Sequence, residues 1–384
     1  MGGVRITVAE EGIKSFAEAV KEESHGGRVL LFAEEGRRGD DAQAALALAG
    51  MRVLRQNPSE AMLSDYSLLR DKAFPEEIMA VVGMGGAVQM EAAKTAGLGR
   101  RISRILYPTD LSALCAWEER SFFGTKGSFV TLRTEGHRVL FDRKALSSSS
   151  EIRAGLGYLL ARVVEESDGI YEDLIEKGES PASSLTLLKE RISLLDDLRE
   201  EAGAAGVAEA AFRLFGEEES LPLSGSVHTF ALVLAKSGYG LLSDLLFPAA
   251  YAILRLYEHF LKTLPLEHCP PSDRMRGVEA LTEKCGWDGR ALYAEMREYA
   301  EGYSERARKT AEYREDFSEC LCELLPLARL SRLYRRADRG KGTRYPSARE
   351  LLSLLSLTGE AVSGYPLLKH IKITGLSDPL LKVG

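Results

Sequence analysis

The sequence predicts a two-domain protein, an α/β domain over residues 1–146 followed by an all-α domain over 147–384. Three observations carry this expectation. Short apolar runs alternate with amphipathic helical segments up to about residue 145, and strand signals vanish after the serine run Ser147–Ser150. At 384 residues and 45% hydrophobic content the chain can also bury two cores.

The elements follow in order. Arg5–Val8 reads as a short strand, Gly12–Glu23 as a helix, and Arg28–Ala33 as a buried strand behind the turn Gly26-Gly27. Asp40–Ala49 is a helix, Met51–Leu54 a strand, Ser59–Lys72 a helix and Ile78–Val82 a strand running into glycines. An Ala-rich helix and the strand Ile102–Tyr107 come next, and Phe129–Leu132 and Arg138–Phe141 either pair as a hairpin or extend the sheet. Such alternation implies a parallel sheet covered on both faces, with ligands beyond the carboxyl ends of its strands. Ser150 then caps a helix over 151–177, and helical spacing continues over 184–202, 205–215, 227–235, 241–262, 290–313, 318–335 and 347–356.

Bulk properties exclude several classes. The net charge of −7 argues against a nucleic-acid surface, and Arg332, Arg335, Arg336 and Arg339 read as a local solvated cluster. With no run of 18 apolar residues and no signal-peptide core, the chain is expected to be cytoplasmic and to need no membrane. Five cysteines without a C-x-x-C pair suggest reduced, buried thiols.

The stretch with most chemical content is Val81 to Ala96, which passes from strand through Gly83, Gly85 and Gly86 into a helix. A helix N-terminus presents free N–H groups and the positive end of its dipole, a setting suited to an anion. Neither G-x-G-x-x-G nor the Walker loop fits the spacing. On spacing alone, a phosphate cradle and a plain strand-to-helix turn explain it equally well.

Four segments in order resemble the superfamily of dehydroquinate synthase, glycerol dehydrogenase and glycerol-1-phosphate dehydrogenase. They are Gly85-Gly86-Ala87-Val88-Gln89-Met90-Glu91-Ala92-Ala93-Lys94, Tyr107-Pro108-Thr109-Asp110-Leu111-Ser112, Arg153-Ala154-Gly155-Leu156-Gly157, and Ser224-Gly225-Ser226-Val227-His228-Thr229-Phe230. The pattern is most similar to the glycerol-1-phosphate branch, and the resemblance implies a Rossmann-like N-terminal domain and a helical substrate and metal domain.

It also implies NAD or NADP as cofactor. Gly85, Gly86, Ala87 and Val88 would cradle the pyrophosphate, Lys94 closes the motif, Thr109 and Ser112 offer hydroxyls, and Glu34 stands where an acidic residue binds the adenosine ribose. Glu34 favours NAD, whereas Arg37 and Arg38 are placed to reverse that preference. Family members hold a divalent ion, commonly zinc, with one carboxylate and two histidines. Here Tyr158 occupies the carboxylate position, His228 matches the first histidine and is the candidate catalytic residue, and Asp244, sixteen residues on, has the reach of the second. His259 and His268 are alternative candidate ligands, and an amphipathic-helix position explains His259 as well.

The resulting expectation is an NAD(P)-dependent oxidoreductase acting on a small polyol or glycerol phosphate, with an altered metal site and a homo-oligomeric state by analogy. The alternatives are a dehydroquinate synthase-like cyclase that eliminates phosphate, and a catalytically degenerate nucleotide-binding member. Phe123-Gly124-Thr125-Lys126-Gly127 only faintly echoes the lysine-rich segment of the cyclase.

Overall fold

The computed structural model describes residues 4–58, 77–177, 182–215, 225–263 and 301–324, apart from a few positions inside these ranges, and scattered residues between 290 and 358. The expected helix at 59–72 and the basic cluster lie outside the described residues. The chain forms two compact units, one comprising 1–155 with 202–218 and the other 156–201 with 219–384. Relative to the expected boundary at 146/147, a helix of the C-terminal half, Ala204–Phe215, is counted with the first unit.

In the first unit, strands β1 (Arg5–Val8), β2 (Arg28–Ala33), β3 (Arg52–Gln56), β4 (Ile78–Gly85), β5 (Ser103–Pro108) and β8 (Arg138–Phe141) form one sheet in the order β1-β8-β5-β4-β2-β3. Every neighbouring pair is parallel. Strands β2, β4 and β5 are almost continuously apolar because both faces of a parallel sheet are covered. Strands β6 (Arg120–Thr125) and β7 (Ser128–Arg133) form a separate antiparallel pair, so of the two readings left open for this region, β8 extends the main sheet and β7 does not pair with it.

The helices of this unit are α1 (Ile13–Ser24), α2 (Arg37–Leu48), α3 (Ala87–Thr95), α4 (Arg143–Ser147) and the segment Ala204–Phe215, here α7. Phe16, Val20, Val29, Leu31, Val82, Ile105 and Leu140 build one core under α1 and α2, each buried side chain contributing roughly 1.5–3 kcal/mol. Helix α3 lies close on β4 because a Cβ on Gly83 would come within 2.8 Å of both Ala93 Cβ and the Gln89 carbonyl. Helix α7 stacks Phe212 on Phe141 at 4.7 Å, with the Arg143 guanidinium 5.3 Å from the Phe212 ring centre.

The second unit takes most of α5 (Ile152–Lys177), together with α6 (Ala182–Asp196), α8 (Ser226–Lys236), α9 (Leu242–Thr263), α10 (Tyr303–Glu312) and α11 (Arg314–Leu324). Gly157 of α5 allows close approach to α9, since a Cβ there would stand 3.0 Å from Leu246 Cβ. Helix α10 anchors on the end of α5 through Lys309, whose ammonium donates to the Ile175 carbonyl at 2.5 Å, and through Tyr171 and Thr310. Among the described residues no helix is long and apolar enough to cross a membrane.

Candidate functional site

The carboxyl edge of the parallel sheet carries the glycine turn. From β2 the chain passes through α2 to β3 on one side, and from β4 through α3 to β5 on the other, so α2 and α3 begin at the point where strand order reverses. Open α/β sheets bind ligands in that crevice.

Strand β4 ends at Gly85 with φ +137°, a conformation that side chains avoid, and Gly86 is the N-cap of α3. The Thr109 N–H donates to the Gly85 carbonyl at 3.0 Å and holds the end of β5 beside the turn. The Gly86 N–H donates to Gln89 Oε1 at 3.1 Å and the Ala87 N–H to Ser112 Oγ at 3.2 Å, while the Ser112 hydroxyl donates to Asp110. A Cβ on Gly86 would lie 2.8 Å from Ser112 Oγ and 3.0 Å from Asp110 Oδ2, which leaves glycine as the residue that fits.

Around this turn, Glu34 is exposed just past β2, and its carbonyl accepts from the Arg55 guanidinium, which also pairs with Asp40 at 2.5 Å. Arg38 reaches to the Thr109 carbonyl at 3.4 Å and brings a positive charge to the turn. The cradle fits a phosphate: its two N–H groups are capped by neutral side-chain oxygens, which a phosphate oxygen can replace without stranding a buried charge. Asp110 works against an anion there, and Arg38 works for it.

Lys94 is fully buried and sits behind the cradle, pairing with Glu91 at 2.7 Å and donating to the Cys115 carbonyl at 2.8 Å. Burial, the largest single effect, opposes its charge, but the acidic groups around it, Glu91 first and then Cys115 and Glu118, together with the Glu91 hydrogen bond raise its pKa above the ordinary 10.5. It therefore ties α3 to the short helical turn Leu111–Trp117. Burial, followed by the charge of Glu91, pushes the Cys115 thiol well above its usual value, so this sulfur stays protonated and inert.

In the second unit, the N-terminus of α8 is filled by carboxylates of α5. Glu165 Oε1 accepts the His228 backbone N–H at 2.9 Å, and both Glu165 oxygens lie 2.9 Å from His228 Nδ1. Asp168 accepts from the Ser226 and Tyr257 hydroxyls, and Glu166 pairs with Arg162 at 2.7 Å and with Arg191. Three carboxylates are fully buried at this point, at a desolvation cost that the α8 dipole, the hydroxyls and the guanidinium groups offset. Burial and then the Asp168 charge push the Tyr257 phenol well above its ordinary pKa, which keeps it a neutral donor.

His228 is 2% exposed, with its ring centre 6.1 Å from that of Tyr158. Asp244 lies partly buried in the first turn of α9. Among the described residues no three His, Cys, Asp or Glu side chains come together to hold a metal ion. His228 is oriented as one donor, but Tyr158 is a poor ligand and the described side chains do not supply the donor set a divalent ion needs. The side chain of His259 and all of His268 lie outside the described residues. A concavity of about 330 Å³ lined by Lys236, Tyr239, Glu350 and Ser353 contains none of the expected site residues.

Sequence reasoning missed Glu165, Gln89 and Asp110 as partners. Gln89 stands three residues after Gly86, the spacing of a helix-capping glutamine, and Glu165 stands seven after Tyr158, two turns along one face of α5.

Similarity at the level of structure decides the fold. A probable glycerol dehydrogenase from Sinorhizobium meliloti superposes over 100% of this chain and 97% of its own, at TM-score 0.56 and 12% identity. An iron-containing alcohol dehydrogenase from Thermococcus thioreducens covers 100% of both chains at TM-score 0.53 and 17% identity. The chain has the iron-containing alcohol dehydrogenase fold. An enzyme of that description from Thermotoga maritima agrees, at TM-score 0.51 and 13% identity over 100% of this chain and 99% of its own. No protein-family model matches the sequence, and neither does any curated protein. The dehydrogenase fold is the one that the order of the four sequence segments implies, an N-terminal α/β domain with Rossmann-like sheet order and a C-terminal helical domain.

Proposed function

We propose that this chain is an NAD(P)-dependent oxidoreductase acting on a small polyol or glycerol phosphate. The observation that carries the reading is the glycine turn at the reversal of strand order, where Gly85 adopts φ +137° and Gly86 has no room for a side chain. Gly85, Gly86, Ala87 and Val88 would hold the pyrophosphate, Glu34 the adenosine ribose, and Thr109 and Ser112 the adjoining part of the cofactor. A bound nicotinamide would supply the hydride acceptor or donor. Gln89 and Ser112 keep the N–H groups of the turn aligned, and Arg38 offsets the charge of Asp110. Dehydrogenase names among the structural neighbours support this reading at the level of fold.

A second reading is favoured by one observation, that among the described residues no three His, Cys, Asp or Glu side chains come together around His228. In it the protein binds the dinucleotide without turning over an alcohol. Fluorescence titration with NAD, NADH, NADP and NADPH, elemental analysis and assays on glycerol, glycerol phosphate and their ketones separate the two. Binding with turnover supports the first, binding without turnover the second, and failure to bind any of the four nucleotides overturns both.

A further inference from the structure

We infer that Arg38 binds the pyrophosphate of the dinucleotide and closes the glycine turn from the side of α2. The inference rests on the cofactor reading above and adds to it the cation that the turn itself lacks. Strand register places the residue. Ala33 at the end of β2 pairs with Met84, and Gly85 at the end of β4 pairs with Pro108. Arg38 is rooted in the first turn of α2, which follows β2, yet its guanidinium donates to the carbonyl of Thr109, just past the end of β5. Strand β4 lies between β2 and β5, so the side chain crosses over the strand end that carries the glycines.

Charge decides which cation is available. A pyrophosphate brings one negative charge per phosphate to a turn that already holds Asp110 beside Gly86. A helix dipole, worth about half an elementary charge, does not balance this. Lys94 stands behind the turn but is committed to Glu91 and the Cys115 carbonyl. Arg55 pairs with Asp40 and with the Glu34 carbonyl, and it packs so tightly on α2 that Gly39 has no room for a side chain. Arg37 faces Asp41 one turn along α2 at 3.8 Å. Arg38 is exposed, and among the described residues no carboxylate pairs with it. Its bond to Thr109 is long, at 3.4 Å, and ends on a neutral oxygen. Exchanging that oxygen for an ionised phosphate oxygen replaces a weak hydrogen bond by a charge-assisted one. The 2′-phosphate of NADP offers the same chemistry, but it would sit beside the exposed Glu34 past the end of β2, whereas Arg38 is drawn from there toward β5. Arg38 therefore serves NAD and NADP alike.

The test is calorimetric titration of the intact wild type, Arg38→Gln and Arg38→Lys with NAD, NADP and ADP, the last carrying a pyrophosphate without nicotinamide or 2′-phosphate. Arg38→Gln should weaken all three by a similar factor, roughly 5–50-fold at low salt, with the deficit narrowing as salt is added. Arg38→Lys should restore part of the affinity. Because Arg38 is exposed, the urea midpoint of Arg38→Gln should match that of wild type, so the loss reads binding and not folding. A loss confined to NADP would overturn the inference in favour of the 2′-phosphate. Unchanged affinity for all three would overturn it outright while leaving the cofactor reading intact. Wild type that binds none of the three would overturn the cofactor reading, and this inference with it.

Discussion

Two helix N-termini in this protein are met by side chains of opposite chemistry. At α3 the free N–H groups are met by neutral oxygens of Gln89 and Ser112, at the open edge of a sheet. At α8 they are met by the buried carboxylate of Glu165, with Asp168 beside it. The first arrangement can exchange its caps for an incoming anion, while the second already contains its anion and is closed to another. The same backbone device is thus used once in an open form with neutral caps and once in a buried form with charged ones.

The largest expected effect tests how closed the second site is. Glu166→Gln leaves Arg162 and Arg191 facing a neutral amide in a fully buried position and should cost about 3–5 kcal/mol, measured as a fall in the urea midpoint. A loss smaller than about 1 kcal/mol would mean that water reaches the network, and the contrast with α3 would fail. Next in size, Gly85→Ala forces a side chain into φ +137° and should destabilise the first unit by about 1–3 kcal/mol. It should also abolish nucleotide-induced fluorescence change under conditions where the variant remains folded. Retained nucleotide affinity would place the ligand away from the turn.

The strands of the main sheet and most helices were legible because their signals are local, whereas β6 (Arg120–Thr125) was not read as a strand. Arg28–Ala33 is a buried apolar run and was read with the bounds the structure gives, and the helices read over 151–177 and 227–235 begin and end within one residue of α5 and α8. The cradle was legible as far as its glycines, since close packing and positive φ both demand that residue. Its caps were not, because the contact of Ser112 with Ala87 spans 25 residues and depends on how β5 and the following turn are set. Glu165 was illegible for the same reason: in sequence it is one of several acidic residues on a helix, and only the fold brings α8 to it across 63 positions. Helical spacing identified the face of α5 but not what that face meets.

A smaller effect sharpens the reading of the first site. Asp110→Asn keeps the oxygen that accepts the Ser112 N–H at 2.8 Å, yet removes a negative charge beside Gly86. At about 0.3–1 kcal/mol for a charge at a helix N-terminus, nucleotide affinity should rise roughly two- to fivefold at low salt, and the gain should shrink as salt is added. Weaker binding in this variant would show that Asp110 touches the ligand as an acceptor.

The smallest effect compares the buried carboxylates with one at the sheet's edge. Glu23 of α1 pairs with Arg5 at 2.6 Å and accepts from Ser103 at 3.0 Å. Burial raises its pKa, but the Arg5 and Ser103 hydrogen bonds and the Arg5 and Arg138 charges outweigh burial and hold it below the ordinary 4.5. A carboxyl depressed in the folded state stabilises above its unfolded pKa and loses that contribution as pH falls through the folded value. Because Arg5 is two-thirds exposed, its side chain at 67%, the pair should contribute less than about 1 kcal/mol. The urea midpoints of wild type and Glu23→Gln should therefore differ slightly at pH 7 and converge as pH falls through the folded-state pKa of Glu23. A difference that does not shrink as pH is lowered would assign the effect of Glu23 to packing, and the ionic contrast with the α5 network would rest on that network alone.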